Sequence, residues 1–142
     1  MSNFLIEYSD CIMHGLQKTV QQWMVDYESN YAVVCSYKEF SVVAKDKDKK
    51  IIAILLGYTE FDEIHIEDIC VKLGYRNKGL GSMLLREIED RFTNKGYNNI
   101  NLITNEFQAA GFYKKCGFEV EFIRENKENP KLTKTFFIKY LK

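Results

Sequence analysis

The stretch that decides the fold is Ile69-Cys70-Val71-Lys72-Leu73-Gly74-Tyr75-Arg76-Asn77-Lys78-Gly79-Leu80-Gly81-Ser82. It joins a β-rich segment, residues 63–72, to a stripe of apolar residues at helical spacing over 80–92. Glycines let the backbone of such a turn approach a ligand closely, and the unpaired amides at a helix N-terminus bind anions. Because Arg76 and Lys78 add positive charge there, the stretch predicts a phosphate site. A tight turn with surface charges is the alternative.

The spacing of the glycines argues against two common nucleotide-binding motifs. The loop does not follow the G-x-x-x-x-G-K-[ST] pattern of nucleoside-triphosphate P-loops, and it does not follow the G-x-G-x-x-G pattern of dinucleotide-binding folds. The phosphate expected here therefore belongs to a different class of ligand.

Hydrophobic periodicity predicts the elements around this stretch. A short first strand is expected over residues 4–8, and a helix with apolar positions from Ile12 to Tyr27 follows it. The polar tract at 45–50 predicts a hairpin turn. The remaining predicted elements are strands at 39–45, 50–58, 98–104, 117–124 and 133–141 and a short helix at 107–116. This order predicts one mixed α/β (α+β) domain, residues 1–142, with helices on both faces of a sheet.

Composition narrows the functional classes. The chain has 142 residues, and 20 basic side chains balance 20 acidic ones. A protein that grips nucleic acid along one face usually carries excess positive charge, so nucleic-acid binding is not expected. The N-terminus lacks the pattern of a signal peptide, and no apolar run reaches the roughly 20 residues of a membrane span. We expect a cytoplasmic protein without membrane partners.

The four cysteines are scattered and do not suggest a metal site. Cys11, Cys35, Cys70 and Cys116 show no C-x-x-C spacing and no clustered histidines. Zinc ribbons and thioredoxin-like motifs require such spacing. We therefore expect reduced, mostly buried thiols and no bound metal.

A second motif, Phe112-Tyr113-Lys114-Lys115-Cys116-Gly117-Phe118, follows the glycine loop. Together with the apolar-x-Val strand end and the Arg-x-x-Gly-x-Gly loop, it resembles the GCN5-related N-acetyltransferase (GNAT) family. The resemblance covers nearly the whole chain and implies a bacterial member of that family. It also implies a central, mostly antiparallel twisted sheet of about seven strands.

The same resemblance implies acetyl-CoA as co-substrate. The loop residues Arg76, Asn77, Lys78, Gly79, Leu80, Gly81 and Ser82 match the backbone that binds its pyrophosphate. Ile69, Cys70 and Val71 match the strand that pairs with the pantetheine arm and polarises the thioester carbonyl. Gln108 stands where many members have Asn, so its contact with that arm is a hypothesis, and Asn105 is a neighbouring candidate.

Three residues are candidates for catalysis. Tyr113 matches the family tyrosine that protonates the departing thiolate. Glu67 is the first candidate for the base that deprotonates the amine, and His65, directly or through water, is the second. Strand alternation places both on one face with Ile69, and Asp68 on the opposite face. A β-bulge before Ile69 would exchange the two faces.

The acceptor is left open by the sequence. A small-molecule amine is expected first, and a protein or peptide amine or a non-catalytic acyl-CoA-binding role are the alternatives. Aminoacyl-tRNA is disfavoured by the balanced charge. The resemblance places the acceptor pocket between the first helix with the loop after it, which carry Trp23, Tyr27, Tyr31 and Tyr37, and the last strands, which carry Phe136 or Phe137. The alternative is that these aromatic residues are part of the core. A homodimer is compatible with the sequence.

Overall fold

A computed structural model describes residues 3–108 and 110–141. The chain divides into two compact units, one ending at Cys35 and the other beginning at Ser36. The first unit contains helix α1 (Leu16–Glu28) and a 3-10 turn (Ser29–Tyr31). None of the described helices is long and apolar enough to cross a membrane.

The N-terminal segment differs from the sequence prediction in two ways. Residues 4–8 form no strand. The helix predicted from Ile12 begins instead at Leu16. Gly15 directly precedes it with a φ of 85°, a left-handed conformation that α-helical backbone cannot contain.

The second unit alternates strands and helices in the predicted order. Its elements are β1 (Lys38–Lys45), β2 (Ile51–Glu60), β3 (Glu63–Val71), α2 (Leu80–Phe92), β4 (Asn99–Asn105), α3 (Ala110–Lys115), β5 (Glu119–Arg124), a 3-10 turn (Pro130–Leu132) and β6 (Lys134–Tyr140). The strand–loop–helix unit at the centre of the sequence is therefore confirmed, since β3 ends at Val71 and α2 begins at Leu80.

The six described strands form one sheet in the order β1-β2-β3-β4-β6-β5. Only β3 and β4 are parallel, and the other neighbours are antiparallel. The prediction of a mixed, mostly antiparallel sheet is confirmed. The count of about seven strands is one too high among the described residues, because residues 4–8 do not join the sheet.

The tract between β1 and β2 is a hairpin turn, as predicted. One carboxylate oxygen of Asp46 accepts hydrogen bonds from the backbone amides of Asp48, at 2.8 Å, and Lys50, at 2.9 Å. The Asp46 side chain thus satisfies two backbone amides of the turn. The charged residues around Asp46 are exposed and form the turn.

Helices α2 and α3 pack on the same face of the sheet. Leu84, Leu85 and Ile88 of α2 and Tyr113 of α3 are buried in one apolar cluster with the sheet residues. The cluster's members in the sheet are Ala53, Leu55, Ile64, Ile66, Ile100, Leu102 and Phe137, and Phe118 and Leu141 join it from next to the ends of β5 and β6. Burying a side chain of this size stabilises the fold by about 1.5–3 kcal/mol, so this face holds the two motif-bearing segments in place.

Candidate functional site

The glycine loop between β3 and α2 has a backbone that two glycines make possible. Gly74 and Gly79 have φ values of 96° and 82°, which side-chain-bearing residues rarely adopt. An ideal Cβ at either glycine would find no atom within 4 Å. The space beside Gly79 is therefore open, as a site for an external ligand requires.

Arg76 ties this loop to the end of the strand before it. Its Nε donates a hydrogen bond to the backbone carbonyl of Val71, at 3.2 Å. Lys78 lies with its ammonium 5.5 Å from the centre of the Tyr75 ring. Two of the residues predicted to bind pyrophosphate thus bring positive charge to the loop, and one of them also holds the loop in shape.

The first turn of α2 presents unpaired amides. Gly79 is its N-cap and no side chain caps it, and the amides of the first turn have no acceptors within the helix. The positive end of the helix dipole adds to them, so the turn from Gly79 to Ser82 fits an anionic group such as a phosphate. Every residue of the predicted pyrophosphate segment lies in this loop or this turn.

The two sequence motifs touch each other. The tip of the Phe112 ring lies only 2.9 Å from where a Cβ on Gly81 would be, so the ring packs directly on the glycine backbone. Next to it, the Ser82 hydroxyl and the Cys116 thiol are 3.7 Å apart. Gly81 is therefore required for close packing of α3 against α2, in addition to any role in binding.

Tyr113 lies below this contact with its ring in the core. The side chain is 6% exposed, and its ring contacts the rings of Phe112, Phe118 and Phe137 at centroid distances of 5.1, 6.0 and 5.6 Å. Burial raises the pKa of Tyr113 to about 12, with a smaller contribution from Cys116. The phenol is thus protonated at neutral pH, which a proton donor needs. Its catalytic role stays a prediction.

A gap opens between the two parallel strands. Strands β3 and β4 pair only over Glu63–Ile66 and Asn99–Leu102. Beyond these residues β3 continues along β2 and β4 continues along β6, so the strands separate. Ile69, Cys70 and Val71 line one side of the gap, and Asn105 ends the strand on the other. Backbone groups that face such a gap can pair with an extended ligand, as an added strand would.

Gln108 lies beyond the end of β4 and is already engaged. Its side-chain oxygen accepts hydrogen bonds from the amide of Asn105, at 2.8 Å, and from the hydroxyl of Thr104, at 3.2 Å. An acceptor role toward a bound ligand is therefore closed to this oxygen, and the amide NH2 is the group left to donate. The side chain shapes the turn that follows β4.

A β-bulge on β3 exchanges the predicted faces. Leu56 of β2 pairs with Asp68 and Gly57 pairs with Ile66, which leaves Glu67 as the extra residue. Ile69 consequently lies on the core side with Ile66. The prediction that His65, Glu67 and Ile69 share a face is wrong for this reason, and the bulged alternative applies. An ideal Cβ on Gly57 would lie 2.5 Å from the His65 carbonyl oxygen, so only glycine fits opposite the bulge.

Glu67 lies beside an acidic and aromatic surface. It lines an open groove of about 470 Å³ together with Glu39, Phe40, Ser41, Leu56 and Gly57. Burial, and secondarily Glu39 and Glu67, raise the pKa of Tyr37. Burial, and secondarily Glu60, Glu67 and Glu63, raise the pKa of Tyr58. The carboxylates are thus close enough to both phenols to disfavour negative charge there.

His65 lies at the end of a row of three rings. The rings of Tyr37 and Tyr58 are 5.1 Å apart, and those of Tyr58 and His65 are 5.2 Å apart. The His65 Nδ1 lies 2.7 Å from the side-chain oxygen of Asn101 on β4. The bulge places Glu67 near this row, with no hydrogen bond or ion pair between it and His65. Tyr113 is on the opposite, helix-bearing side of the sheet.

Sequence reasoning missed two residues of this surface, Tyr58 and Asn101. Both could have been found from alternation once the hairpin and the parallel pairing were known, since each lies directly opposite His65 in a neighbouring strand.

Of the proposed acceptor aromatics, Phe137 is fully buried core and Phe136 packs against Phe122. The described residues contain no cluster of three potential metal ligands, and the expectation of no metal stays a prediction.

Comparison with known proteins gives this arrangement a family context. The model of the acetyltransferase (GNAT) family matches residues 7–118. Blasticidin-S acetyltransferase of Streptomyces morookaense is 33% identical over 67 residues, which are 46% of this chain and 49% of that protein. The chain aligns with about half the length of the curated relatives it matches, 54% of one and 49% of the other.

Solved structures share the fold over a larger part of the chain. An acetyltransferase from Bacillus cereus superimposes with a TM-score of 0.77 and 28% identity, covering 95% of this chain and 98% of that one. An aminoglycoside 6'-N-acetyltransferase complexed with coenzyme A gives a TM-score of 0.65 at 14% identity over 73% of each chain. The latter is a likeness of fold alone.

Proposed function

Since the chain belongs to the acetyltransferase (GNAT) family, we propose that it transfers the acetyl group of acetyl-CoA to the amine of a small molecule. The observation that carries this proposal is that the uncapped N-terminus of α2 follows the strand that borders the gap between the parallel strands β3 and β4. The helix N-terminus suits the pyrophosphate, and the gap suits the extended pantetheine arm. Both lie in the segment that the sequence motifs occupy.

The proposed reaction is a direct transfer. The acceptor's ammonium group loses one proton to a base, and its nitrogen then attacks the thioester carbonyl carbon. A C–N bond forms, the C–S bond breaks, and the nitrogen loses its second proton. Tyr113 gives its phenolic proton to the departing thiolate and regains the proton that the nitrogen releases. The base is His65 or Glu67, and backbone amides of β3 at the gap would stabilise the oxyanion.

We propose a cationic acceptor because of the surface beside the base candidates. The rings of Tyr37 and Tyr58 lie close to the carboxylates of Glu39, Glu60 and Glu67, and aromatic rings combined with negative charge attract a cation. An amine with a second positive group fits this surface better than a neutral or acidic amine. The acetylation of blasticidin S by a relative is compatible with such an acceptor.

The first test is free-thiol release from acetyl-CoA across a panel of amines that differ in charge. Diamines, polyamines, aminoglycosides and guanidinium-bearing amines are compared with amino acids, arylalkylamines and short acidic peptides. We expect turnover on a multiply charged amine, at least tenfold above its singly charged analogue. Turnover on acidic or neutral amines alone would reject the cationic acceptor, and acetyl-CoA binding without any turnover would reject the enzyme.

Acetyl-CoA binding has a matched pair of variants. Gly79→Ala and Gly74→Ala impose a similar backbone cost, because both glycines have positive φ and open space around the new methyl group. Only Gly79 caps α2. We expect calorimetry to show at least tenfold weaker binding for Gly79→Ala and a much smaller change for Gly74→Ala. Equal effects would reject the placement of pyrophosphate on the first turn.

A further inference from the structure

A chain of side chains links His65 to a carboxylate across the parallel pair of strands. The Nδ1 of His65 is 2.7 Å from the oxygen of Asn101, whose Nδ2 donates to the oxygen of Asn99 at 2.8 Å. The Nδ2 of Asn99 in turn donates to a carboxylate oxygen of Glu63 at 3.2 Å. Glu63 pairs with Asn99 and His65 pairs with Asn101 in the ladder, so alternation puts all four on one face.

The carboxylate sets the direction of every hydrogen bond in this chain. An ionised Glu63 can only accept, so Asn99 must turn its NH2 group toward it. Asn98 takes the other hydrogen of that NH2 group, at 2.8 Å. The oxygen of Asn99 then faces Asn101, which must present its NH2 there and its own oxygen to His65. An oxygen at 2.7 Å from Nδ1 requires that Nδ1 carry the proton.

We propose that Glu63, Asn99 and Asn101 are positioning residues that hold neutral His65 in the Nδ1–H tautomer. The Nε2 lone pair is then the proton acceptor for the substrate ammonium. This proposal rests on the proposed acetyl transfer and chooses His65 over Glu67 as its base. Among the described residues no hydrogen bond to Nε2 competes for its lone pair, and Tyr58 packs against the ring without bonding to it. The tautomer that Asn101 imposes is the opposite of the one that an unconstrained histidine side chain favours in water.

The tautomer can be read directly, independently of any activity. The chain has only two histidines, so long-range 1H–15N spectra of the full protein labelled at histidine contain two sets of ring signals. A His14→Gln variant identifies those of His65. We expect the Nδ1–H pattern for His65 in the wild type, a shift toward Nε2–H in Asn101→Ala, and its return in Asn101→Asp, whose carboxylate also accepts from Nδ1–H.

Kinetics then test the consequence. Asn101→Ala should lower kcat about tenfold and leave the KM for acetyl-CoA unchanged, because only the base loses its orientation. Glu63→Gln should produce a mixture of tautomers, since a glutamine amide can turn either way. Glu119→Gln is the matched control, because it removes an exposed strand carboxylate that belongs neither to this chain of side chains nor to the proposed acceptor surface.

The outcomes separate this proposal from the proposed function. An Nε2–H signal for His65 in the wild type overturns the positioning chain. Full turnover in His65→Gln together with lost turnover in Glu67→Gln overturns His65 as base but leaves acetyl transfer standing. If no amine is acetylated, the proposed function and its base fail, while the spectra still decide whether the chain sets the tautomer.

Discussion

The burial of Tyr113 predicts a specific loss of stability at alkaline pH. Its pKa is raised from 10.0 to about 12 in the folded protein. Between these values the unfolded chain releases the phenolic proton and the folded protein keeps it, so the free energy of unfolding falls as pH rises. Two pKa units correspond to about 2.7 kcal/mol in total, of which about 0.4 kcal/mol is lost by pH 10 and about 1.4 kcal/mol by pH 11.

Tyr113→Phe removes this dependence and keeps the ring that packs in the core. The measurement is urea unfolding followed by far-UV circular dichroism at pH 8, 10 and 11, for wild type and variant. Between pH 8 and pH 11 the free energy of unfolding of the variant, relative to that of the wild type, should rise by about 1.4 kcal/mol. Every other group titrates in both proteins and cancels in the comparison.

Tyr140→Phe is the matched control, because it removes the phenolic hydroxyl of a tyrosine residue that is 55% exposed. Its difference from the wild type should change less between pH 8 and pH 11 than that of Tyr113→Phe. If the wild-type and Tyr113→Phe curves stay parallel, the hydroxyl of Tyr113 is hydrated in the folded protein. Tyr113 would then not be a phenol protected by burial, and its proposed role as proton donor would lose its support.

Three further substitutions test the packing that supports the site, each by urea unfolding at pH 7. Gly57→Ala should destabilise the fold by about 2–3 kcal/mol, because the methyl group would lie 2.5 Å from a carbonyl oxygen of β3. Gly111→Ala is its control and should not destabilise the fold, because no atom lies within 4 Å of the Cβ position there. Lys139→Met should cost about 1 kcal/mol, and less in 1 M NaCl, since it breaks a 2.7 Å ion pair with Glu89. Gly81→Ala should cost about 1 kcal/mol by displacing the aromatic ring packed on it; no loss would show that the ring moves freely.

Local patterns carried most of the fold prediction. The loop at residues 72–79 was predictable because its glycines and charges lie between a β-rich segment and a stripe of apolar residues at helical spacing. That stripe predicted α2 over its observed range of Leu80–Phe92. The turn at 45–50 was equally plain, because polar residues there separate two β-rich runs. The alternation at 4–8 misled, since alternation in five residues does not specify a partner strand.

The site was only partly accessible to the same reasoning. Phe112 and Gly81 belong to separate motifs in the sequence, and nothing in either motif states that they touch. The engagement of Gln108 by the turn after β4 is likewise a three-dimensional fact. His65 was selected for its chemistry, but the residue that orients it, Asn101, lies 36 positions away.

The linear order of residues was enough to identify the family motifs and to predict a phosphate-binding turn and the candidate acid and bases, because these depend on residue type and short spacing. Tertiary structure alone decided which face each residue of β3 occupies, where β3 and β4 separate, and which side chain forms a hydrogen bond with the Nδ1 of His65. One bulged residue, Glu67, shifts the alternation of all residues after it. Such a shift arises from pairing with β2, opposite a glycine that alone fits there, and pairing partners are not written in the order of the chain.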